Sequence, residues 1–345
     1  MASFKRPPHP VSGAKHSLKL GTFLTSSGIP SLDSLVGGGF AVGSIVILDS
    51  DFHRTYAKQM LNLFIAEGII SGQSFFYGAN EPVDSLLCKL PEVAQVPEQI
   101  APREDDLKIA WRYKEMNTET VSVSNPPLGH NFDMSKLMDV QSHMKEKNVN
   151  IKHFGPDMRE RLSTNLEGLL TSLRQFSLSK ASKNVHRIVL NCLCSQLWGY
   201  SSNAHDFNQT VLKFFAVLRL LVQGTLGIVL ITLPELDPGL LSRVRHYGDY
   251  VFTVHGFDGI SSMNPLYEEY NGLLDVIQLP WLGGSLDLVA RPATSQWAFK
   301  VKRRQFLVEH LHLPPCLSDT ASRSTMPESI LSGSQPKLSE KPADF

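Results

Sequence analysis

Short apolar runs alternate along much of the chain with longer stretches in which apolar residues recur at helical spacing. Residues 45–48 are all apolar, which is typical of a strand buried on both faces. Residues 57–68 have helical spacing, and residues 74–77 form a second predicted strand. The pattern predicts a strand–loop–helix–strand unit. Its first loop, residues 49–55, lies where nucleotide-binding folds hold a phosphate.

The same alternation returns after residue 161. Apolar stripes over residues 162–176 and 207–222 predict two helices. Apolar runs predict further strands at 186–193, 227–233, 250–254 and 272–279, and a hairpin of 297–301 with 306–309. Strands separated by helices favour a parallel sheet with helices on both faces. The predicted fold class is therefore α/β, with a largely parallel sheet and a C-terminal β-hairpin.

Residues 91–161 interrupt this alternation, because they are rich in Pro, Asn, Lys and Glu and their apolar residues are scattered. Two islands stand out within them, at 108–113 and 132–136. We expect Trp111 and Tyr113 to belong to a strand that packs on the core. An aromatic and arginine patch for RNA stacking is the alternative.

Both ends of the chain are polar and lack apolar periodicity. Residues 1–18 are predicted to form a disordered basic tail, and residues 316–345 a disordered polar tail. Residues 19–315 are predicted to form a single domain that carries an irregular insertion at about residues 91–161.

The composition of the 345 residues, with 42% hydrophobic residues, is that of a globular protein. The net formal charge is zero, so any contact with nucleic acid must come from a local patch. Cys192 and Cys194 lie in an apolar run and are expected to be buried structural thiols on one side of a strand. No stretch approaches the length of a transmembrane helix. We expect a cytoplasmic protein without membrane contact, with the nucleus as a second candidate compartment.

The loop at residues 49–55 lacks the groups of a working phosphate loop. A G-x-x-x-x-G-K-[ST] loop needs glycines so that its backbone N–H groups can approach the phosphates, and a lysine to reach the terminal phosphates. Residues 44–67 contain no glycine, and His53, Arg54 and Thr55 occupy the places of Gly-Lys-Thr. The wide fork of arginine does not replace the compact ammonium group of lysine. We interpret the loop as a degenerate phosphate loop.

A second group of nucleotide chemistry is also missing. In P-loop ATPases a carboxylate at the end of a core strand orders the magnesium ion or its water. Here Asn191 occupies the strand-end position, and its amide carries no charge. Glu81, after the second strand, lies near the place of the acid that polarises the attacking water, but without phosphate or metal beside it we interpret it as a capping or surface acid. We therefore expect neither an enzyme nor a bound cofactor or metal.

Several segments together are specific for one family. The spacing of the glycines, Pro30 and Asp33 within residues 27–44 resembles the sequence that leads into the RecA-type ATPase core. The resemblance includes the recombinase and clock-protein branches of that fold. Further unusual segments lie at 66–68, 108–113, 132–136, 197–199, 264–267 and 299–322. On these residues the chain resembles the PAXNEB family, the fourth subunit of the Elongator complex, which has a RecA-type fold without a working P-loop. The resemblance covers most of residues 25–324 and departs from the family at residues 92–106.

The resemblance implies a role that the motifs do not supply. The family's protein assembles with two RecA-like sisters, the fifth and sixth Elongator subunits, into a hetero-hexameric ring. Elongator adds 5-carboxymethyl-type groups to wobble uridines of tRNA, and another subunit carries out that chemistry. The chain is thus expected to be a non-catalytic, structural and RNA-handling subunit, with the catalytic Elongator subcomplex and tRNA as further partners. Any contribution to ATP hydrolysis is expected only within the assembled ring.

Candidate RNA contacts follow from the RecA-like arrangement. A RecA-like ring brings nucleic acid near the loops after the third and fourth core strands, which are expected here at residues 195–205 and 234–246. Arg243, Arg245 and His246 in the second loop are the candidate tRNA contacts, through phosphates. Ordinary solvated charges or pairs at a ring interface are the alternative.

The C-terminal hairpin carries a second basic cluster, made by Lys300, Lys302, Arg303 and Arg304. Such a cluster is by default a solvated turn, and an interface or RNA contact is the alternative.

Two other functions compete with the ring subunit. The first is an ATPase that uses Arg54 and Thr55 in an atypical phosphate loop. The second is a recombinase paralogue that binds DNA, which a preference for tRNA over single-stranded DNA would distinguish.

Overall fold

A mixed sheet of nine strands lies at the centre of the computed structural model, which describes residues 11–17, 21–50, 55–94, 128–178, 184–257, 270–280 and 296–311. The strands are β1 (Ala14–Ser17), β2 (Thr22–Thr25), β3 (Phe40–Ala41), β4 (Ile45–Ser50), β5 (Phe75–Gly78), β6 (Pro91–Val93), β7 (Phe132–Leu137), β8 (Ile151–Phe154), β9 (His186–Leu190), β10 (Gly227–Leu233), β11 (Tyr250–Gly256), β12 (Gly272–Gln278), β13 (Gln296–Lys302) and β14 (Gln305–His310). The helices are α1 (Pro30–Leu35), α2 (Thr55–Ile70), α3 (Val83–Leu87), α4 (Val140–Lys147), α5 (Leu162–Leu178), α6 (Ala204–Gln223) and α7 (Pro238–Arg245).

The strand order of the central sheet is β14-β13-β12-β11-β4-β10-β9-β5-β8. The strands from β11 to β8 are parallel to one another, and β12, β13 and β14 continue the sheet antiparallel. Helices α2, α5, α6 and α7 connect successive parallel strands, because parallel strands need a long crossover that a helix usually provides. The predicted α/β class, with a largely parallel sheet and a C-terminal hairpin, is confirmed.

Alternate residues of β4 explain why its run is apolar throughout. Val46 and Leu48 belong to the core layer that includes α2, whereas Ile45 and Ile47 belong to the layer under α5, α6 and α7. All four side chains are almost completely buried. A strand covered by helices on both faces has no polar side, so it shows no alternation.

The helix α6 shows how the sequence sets the position of a helix. Asn203 caps its first turn by accepting a 2.8 Å hydrogen bond from the Asp206 backbone N–H. Its apolar stripe is buried against the sheet and consists of Val211, Phe214, Phe215, Leu218 and Val222. The opposite face remains in solvent, as expected for an amphipathic helix on a sheet.

The described part of residues 91–161 is more regular than the sequence indicated. β6 pairs with β7 in a separate two-stranded sheet, and β8 forms one edge of the central sheet beside β5. The short strand β8 has the sequence IKHF. Because two of its four residues are polar, a search for apolar runs does not find it. Trp111 and Tyr113 lie outside the described residues.

The ordered structure also begins before residue 19. Residues 14–17, which the sequence placed in the N-terminal tail, form β1 in a three-stranded antiparallel sheet with β2 and β3. Gln73 anchors the preceding turn, because its Nε2 donates to the carbonyl oxygens of Ser12 and Gly13 at 3.2 and 3.0 Å. No helix within the described ranges is long and apolar enough to cross a membrane.

Candidate functional site

A cavity of about 540 Å³ opens at the carboxyl edge of the parallel strands, beside the N-terminal half of α2. Lys58, Gln59 and Asn62 of α2 form one wall, and Glu81 and Asn191 follow β5 and β9 on the other. Ligands of α/β proteins bind at this edge of the sheet. Glu81 and Asn191, which occupy the two positions where a P-loop ATPase carries acidic groups, therefore line the same cavity.

The loop that the sequence predicts to be a degenerate phosphate loop, residues 49–55, is only partly described. His53 and Arg54 lie outside the described residues. Thr55 begins α2, is exposed, and lines the cavity.

Asn191 bridges two strands through its side chain. Its Oδ1 accepts a 2.8 Å hydrogen bond from Thr232 Oγ1 of β10, and the Trp198 indole donates to its carbonyl oxygen at 3.3 Å. The Thr232 hydroxyl in turn accepts from the Cys192 backbone N–H at 2.8 Å. The strand-end position thus holds a neutral amide that joins β9 to β10.

Glu81 is held by a set of donors that surround its carboxylate. Lys58 and Lys89 lie 2.8 and 3.4 Å from its oxygens, and Ser85 Oγ donates at 2.9 Å. Partial burial raises the pKa of this carboxyl, but the hydrogen bonds from Lys58 and Ser85 outweigh it, so the pKa of Glu81 lies below its ordinary value. The acid stays ionised and connects α2 to α3. Glu81 does not cap α3, because that helix begins after Pro82 without a side-chain cap and the Glu81 carboxylate accepts from the Ser85 hydroxyl instead.

Several polar atoms of the cavity wall lack a partner among the described residues. Gln59 Oε1, Asn62 Oδ1 and Ser195 Oγ are buried without a hydrogen bond there. Buried polar atoms without protein partners are usually satisfied by water or a polar ligand. In the described ranges no group of three His, Cys, Asp or Glu side chains is arranged to hold a metal ion.

The two cysteines beside the cavity do not lie on a strand, as the sequence suggested. β9 ends at Leu190, and Cys192 and Cys194 lie in the following turn with φ angles of 50° and 67°. Cys194 is buried, and burial raises the pKa of its thiol, whereas Cys192 is partly exposed and lines the cavity. The apolar run continues past the strand because the turn also packs against the core.

The three candidate tRNA contacts differ in their surroundings. Arg245 Nη2 lies 2.6 Å from the carboxylate of Asp49 and 3.3 Å from Thr253 Oγ1. The charge of Arg245 is therefore neutralised by an intramolecular ion pair. Arg243 and His246 are exposed. Arg245 therefore joins α7 to the end of β4, whereas Arg243 and His246 remain accessible to a ligand.

A buried arginine that the sequence did not single out connects the N-terminal segment to the core. Arg187 of β9 is 0% exposed, and its guanidinium donates to Gln73 Oε1 at 2.6 Å, to the Phe64 carbonyl at 2.7 Å and to the Ser26 carbonyl at 2.9 Å. It also lies 4.2 Å from the centre of the Phe64 ring. Its position inside an apolar strand run was the one available signal.

A buried acid binds the inserted segment at residue 130. Glu67 of α2 accepts a 2.9 Å hydrogen bond from the His130 backbone N–H, and His130 Nδ1 lies 3.2 Å from both carboxylate oxygens. Burial raises the pKa of Glu67, but His130 and the nearby charge of Arg187 lower it further than burial raises it. The Glu67 hydrogen bond raises the pKa of His130. These contacts fix residue 130 against α2.

Comparison with known proteins places the chain among named relatives. The model of the PAXNEB protein family matches residues 7–345. Elongator complex protein 4 of Xenopus laevis is 32% identical over 365 residues, which cover 95% of this chain and 88% of that protein. Elongator complex protein 4 of Homo sapiens is 31% identical over 362 residues, covering 91% of this chain and 82% of that protein.

A solved structure of an ATPase domain shares the fold. That domain is 10% identical, with a TM-score of 0.51, and the match covers 81% of this chain and 89% of the domain. At this identity the likeness concerns the fold alone, and it agrees with a RecA-like arrangement of strands and helices.

Proposed function

Because the chain belongs to the PAXNEB protein family, we propose that it is a non-catalytic subunit of an Elongator complex. The observation that carries the proposal is the family match over residues 7–345, together with relatives that bear the name Elongator complex protein 4. We further propose that the chain forms a hetero-hexameric RecA-like ring with the fifth and sixth Elongator subunits, in the cytoplasm, in support of wobble-uridine modification of tRNA.

Two contacts in the cavity support a non-catalytic role. Glu81 is bound by Lys58, Ser85 and Lys89, which is the surrounding expected of an acid that joins two helices. A magnesium-ordering group needs negative charge, but Asn191 is a neutral amide bonded to Thr232. Both side chains therefore connect neighbouring elements of the fold.

Exposure supports a role of α7 in binding tRNA. Arg243 and His246 are open to solvent at the end of α7, so either side chain can approach a phosphate. Arg245 is a less suitable contact because Asp49 already neutralises it. We therefore assign the proposed phosphate contact to Arg243 and His246.

The competing function is ATP hydrolysis by an atypical loop that includes Arg54 and Thr55. The observation in its favour is the cavity itself, which Thr55 lines and which is large enough for a small ligand. Magnesium-dependent ATP turnover by the purified chain, abolished by Arg54→Ala, would establish this function instead.

Native mass spectrometry after co-expression with the fifth and sixth Elongator subunits tests the assembly. We expect a six-membered assembly that contains this chain, and no magnesium-dependent ATP turnover by the chain on its own. A chain that remains alone in the presence of both partners would contradict the ring.

A further inference from the structure

The turn of the C-terminal hairpin concentrates positive charge at one exposed point. Lys302 pairs with Gln305 across the ladder, so Arg303 and Arg304 form a two-residue turn between β13 and β14. All three cations are exposed, and the side chain of Arg304 is 80% accessible. Within the described ranges, neither Lys302 nor Arg303 has a carboxylate at ion-pair distance.

The neighbouring strand β7 adds a fourth cation and fixes the turn. The Met134 backbone N–H donates to the Arg304 carbonyl at 3.1 Å, which joins β7 to the hairpin. Lys136, two residues further along β7, is exposed. The turn is therefore held at its backbone while its cationic side chains remain in solvent.

Among the described residues, Asp133 is the carboxylate at ion-pair distance from the turn, and Ser135 already binds it. Asp133 lies 4.0 Å from Arg304 Nε, but its Oδ1 accepts from the Ser135 hydroxyl at 2.5 Å and from the Ser135 backbone N–H at 3.0 Å. Those hydrogen bonds lower the pKa of Asp133, with Arg304 and Lys136 adding to the effect. Within the described ranges, no carboxylate other than Asp133 lies at ion-pair distance from these four cations.

The body of the same hairpin shows the opposite arrangement. Lys300 lies 3.1 Å from the carboxylate of Glu309 and 4.6 Å from the centre of the Tyr270 ring, so its charge is used within the protein. Charge on the hairpin is therefore neutralised along the strands and left open at the turn. An open cationic turn of this kind is suited to a polyanion rather than to internal pairing.

We propose that this basic turn, defined as Lys136, Lys302, Arg303 and Arg304, binds the phosphate backbone of RNA. The proposal rests on the RNA-handling function proposed above and names a contact on a different element from Arg243 and His246. Arginine presents a planar fork that binds phosphate oxygens through two hydrogen bonds. Contacts to phosphate carry no base information, so the turn should contribute affinity without sequence preference.

The salt dependence of RNA binding by the full-length chain tests the turn. The dissociation constant for a fluorescent, unmodified tRNA transcript is measured between about 50 and about 300 mM KCl, where each phosphate contact contributes roughly 0.7–0.9 to the slope of log K against log salt. We expect K302Q/R303Q/R304Q to reduce the slope by about 2–3 and to weaken binding roughly 10–100-fold at low salt. An RNA of unrelated sequence should show the same change.

Two control variants distinguish a loss of RNA contact at the turn from a change in net charge and from a folding defect. K145Q/K147Q/R174Q removes the same number of charges from exposed positions of α4 and α5 and should keep the wild-type slope. R303K/R304K keeps the charge of the turn and should keep most of the slope.

Each remaining outcome decides the proposal. A wild-type slope in K302Q/R303Q/R304Q, or an equal loss in the α4 and α5 control, overturns the basic turn as an RNA contact while the RNA-handling function stands. Absence of RNA binding by the wild-type chain, alone and in its assembly, overturns both. A turn variant that keeps its RNA slope but no longer co-purifies with the other ring subunits would assign the turn to an acidic protein surface, and so overturn the RNA contact.

Discussion

Lys58 on α2 donates a hydrogen bond of 2.8 Å to the carboxylate of Glu81, so the acid that follows β5 is bound to the helix that follows β4. Ser85 and Lys89 bind the same carboxylate from the other side. The pair therefore stabilises the junction of α2, β5 and α3. This relationship leads to a prediction that separates a structural acid from a catalytic one.

Glu81→Gln should reduce the free energy of unfolding slightly and leave ATP turnover by the intact assembly unchanged. Partly exposed ion pairs contribute about 0.5–1 kcal/mol, so the free energy of unfolding in urea should fall by that amount. Lys58→Met should cause a similar loss, and the double variant should lose less than the sum, because one interaction is removed twice. A fall of more than about tenfold in ATP turnover by the intact assembly would identify Glu81 as catalytic.

Arg187→Met should be among the most destabilising single substitutions in the chain. It removes the hydrogen bonds that the guanidinium donates to Gln73, Phe64 and Ser26. It also removes the positive charge of Arg187 that helps keep Glu67 ionised. Breaking a buried charged network by removing one partner costs about 3–5 kcal/mol. Urea denaturation followed by circular dichroism measures the change.

The matched control for that variant is Arg174→Met on the exposed face of α5. The same chemical change at an exposed position should alter the free energy of unfolding by less than about 0.5 kcal/mol. Similar losses in the two variants would show that the Arg187 network contributes little.

Local patterns were sufficient to predict the central part of the fold. The continuous apolar run of β4 and the stripe of α6 each depend on residues close together in the sequence, and both elements formed where the pattern placed them. The absence of charge at the strand-end position could also be predicted, because the residue type at position 191 decides it. Strand β8 was missed because an edge strand carries polar residues.

The partners of the site residues could not be predicted, because they are distant in the sequence. Arg187 bonds to Ser26, which is 161 positions away, and Asn191 bonds to Thr232, which is 41 positions away. The pairing of Arg245 with Asp49 spans 196 positions and changes how a candidate RNA contact is interpreted. Such contacts follow from the order of strands in the sheet, which no local pattern encodes.

The contact of His130 with Glu67 should make stability depend on pH. The raised pKa of His130 means that its contribution is complete below its ordinary value of 6.5 and is lost as the pH rises through the folded-state value. The lowered pKa of Glu67 means that its contribution is present above 4.5 and is lost as the pH falls through its folded-state value. Wild type should therefore exceed His130→Gln in stability most clearly between about pH 5 and 6.5 and less at pH 9. Because the His130 side chain is half-exposed, the difference should be about 0.5–1 kcal/mol.

Urea unfolding at pH 5.5 and pH 9 measures the difference, with His205→Gln as the control. His205 is exposed on α6 and, in the described part of the chain, has no carboxylate at ion-pair distance. If the stability difference between wild type and His130→Gln is the same at both pH values, the contact is not electrostatic.

Two glycines with positive φ angles offer a matched test of close backbone approach. Gly28 has a φ of +84°, and a Cβ there would lie 2.3 Å from the Leu63 carbonyl oxygen of α2, whereas Gly21 has a φ of +63° and no described atom within 4 Å of such a Cβ. Alanine at either position adds about 1–2 kcal/mol of left-handed strain, and at Gly28 it also forces a backbone clash that costs about 1–3 kcal/mol more. Gly28→Ala should therefore lower the free energy of unfolding by about 2–5 kcal/mol and Gly21→Ala by about 1–2 kcal/mol. Equal losses in urea denaturation would mean that α2 does not hold residue 28 at close range.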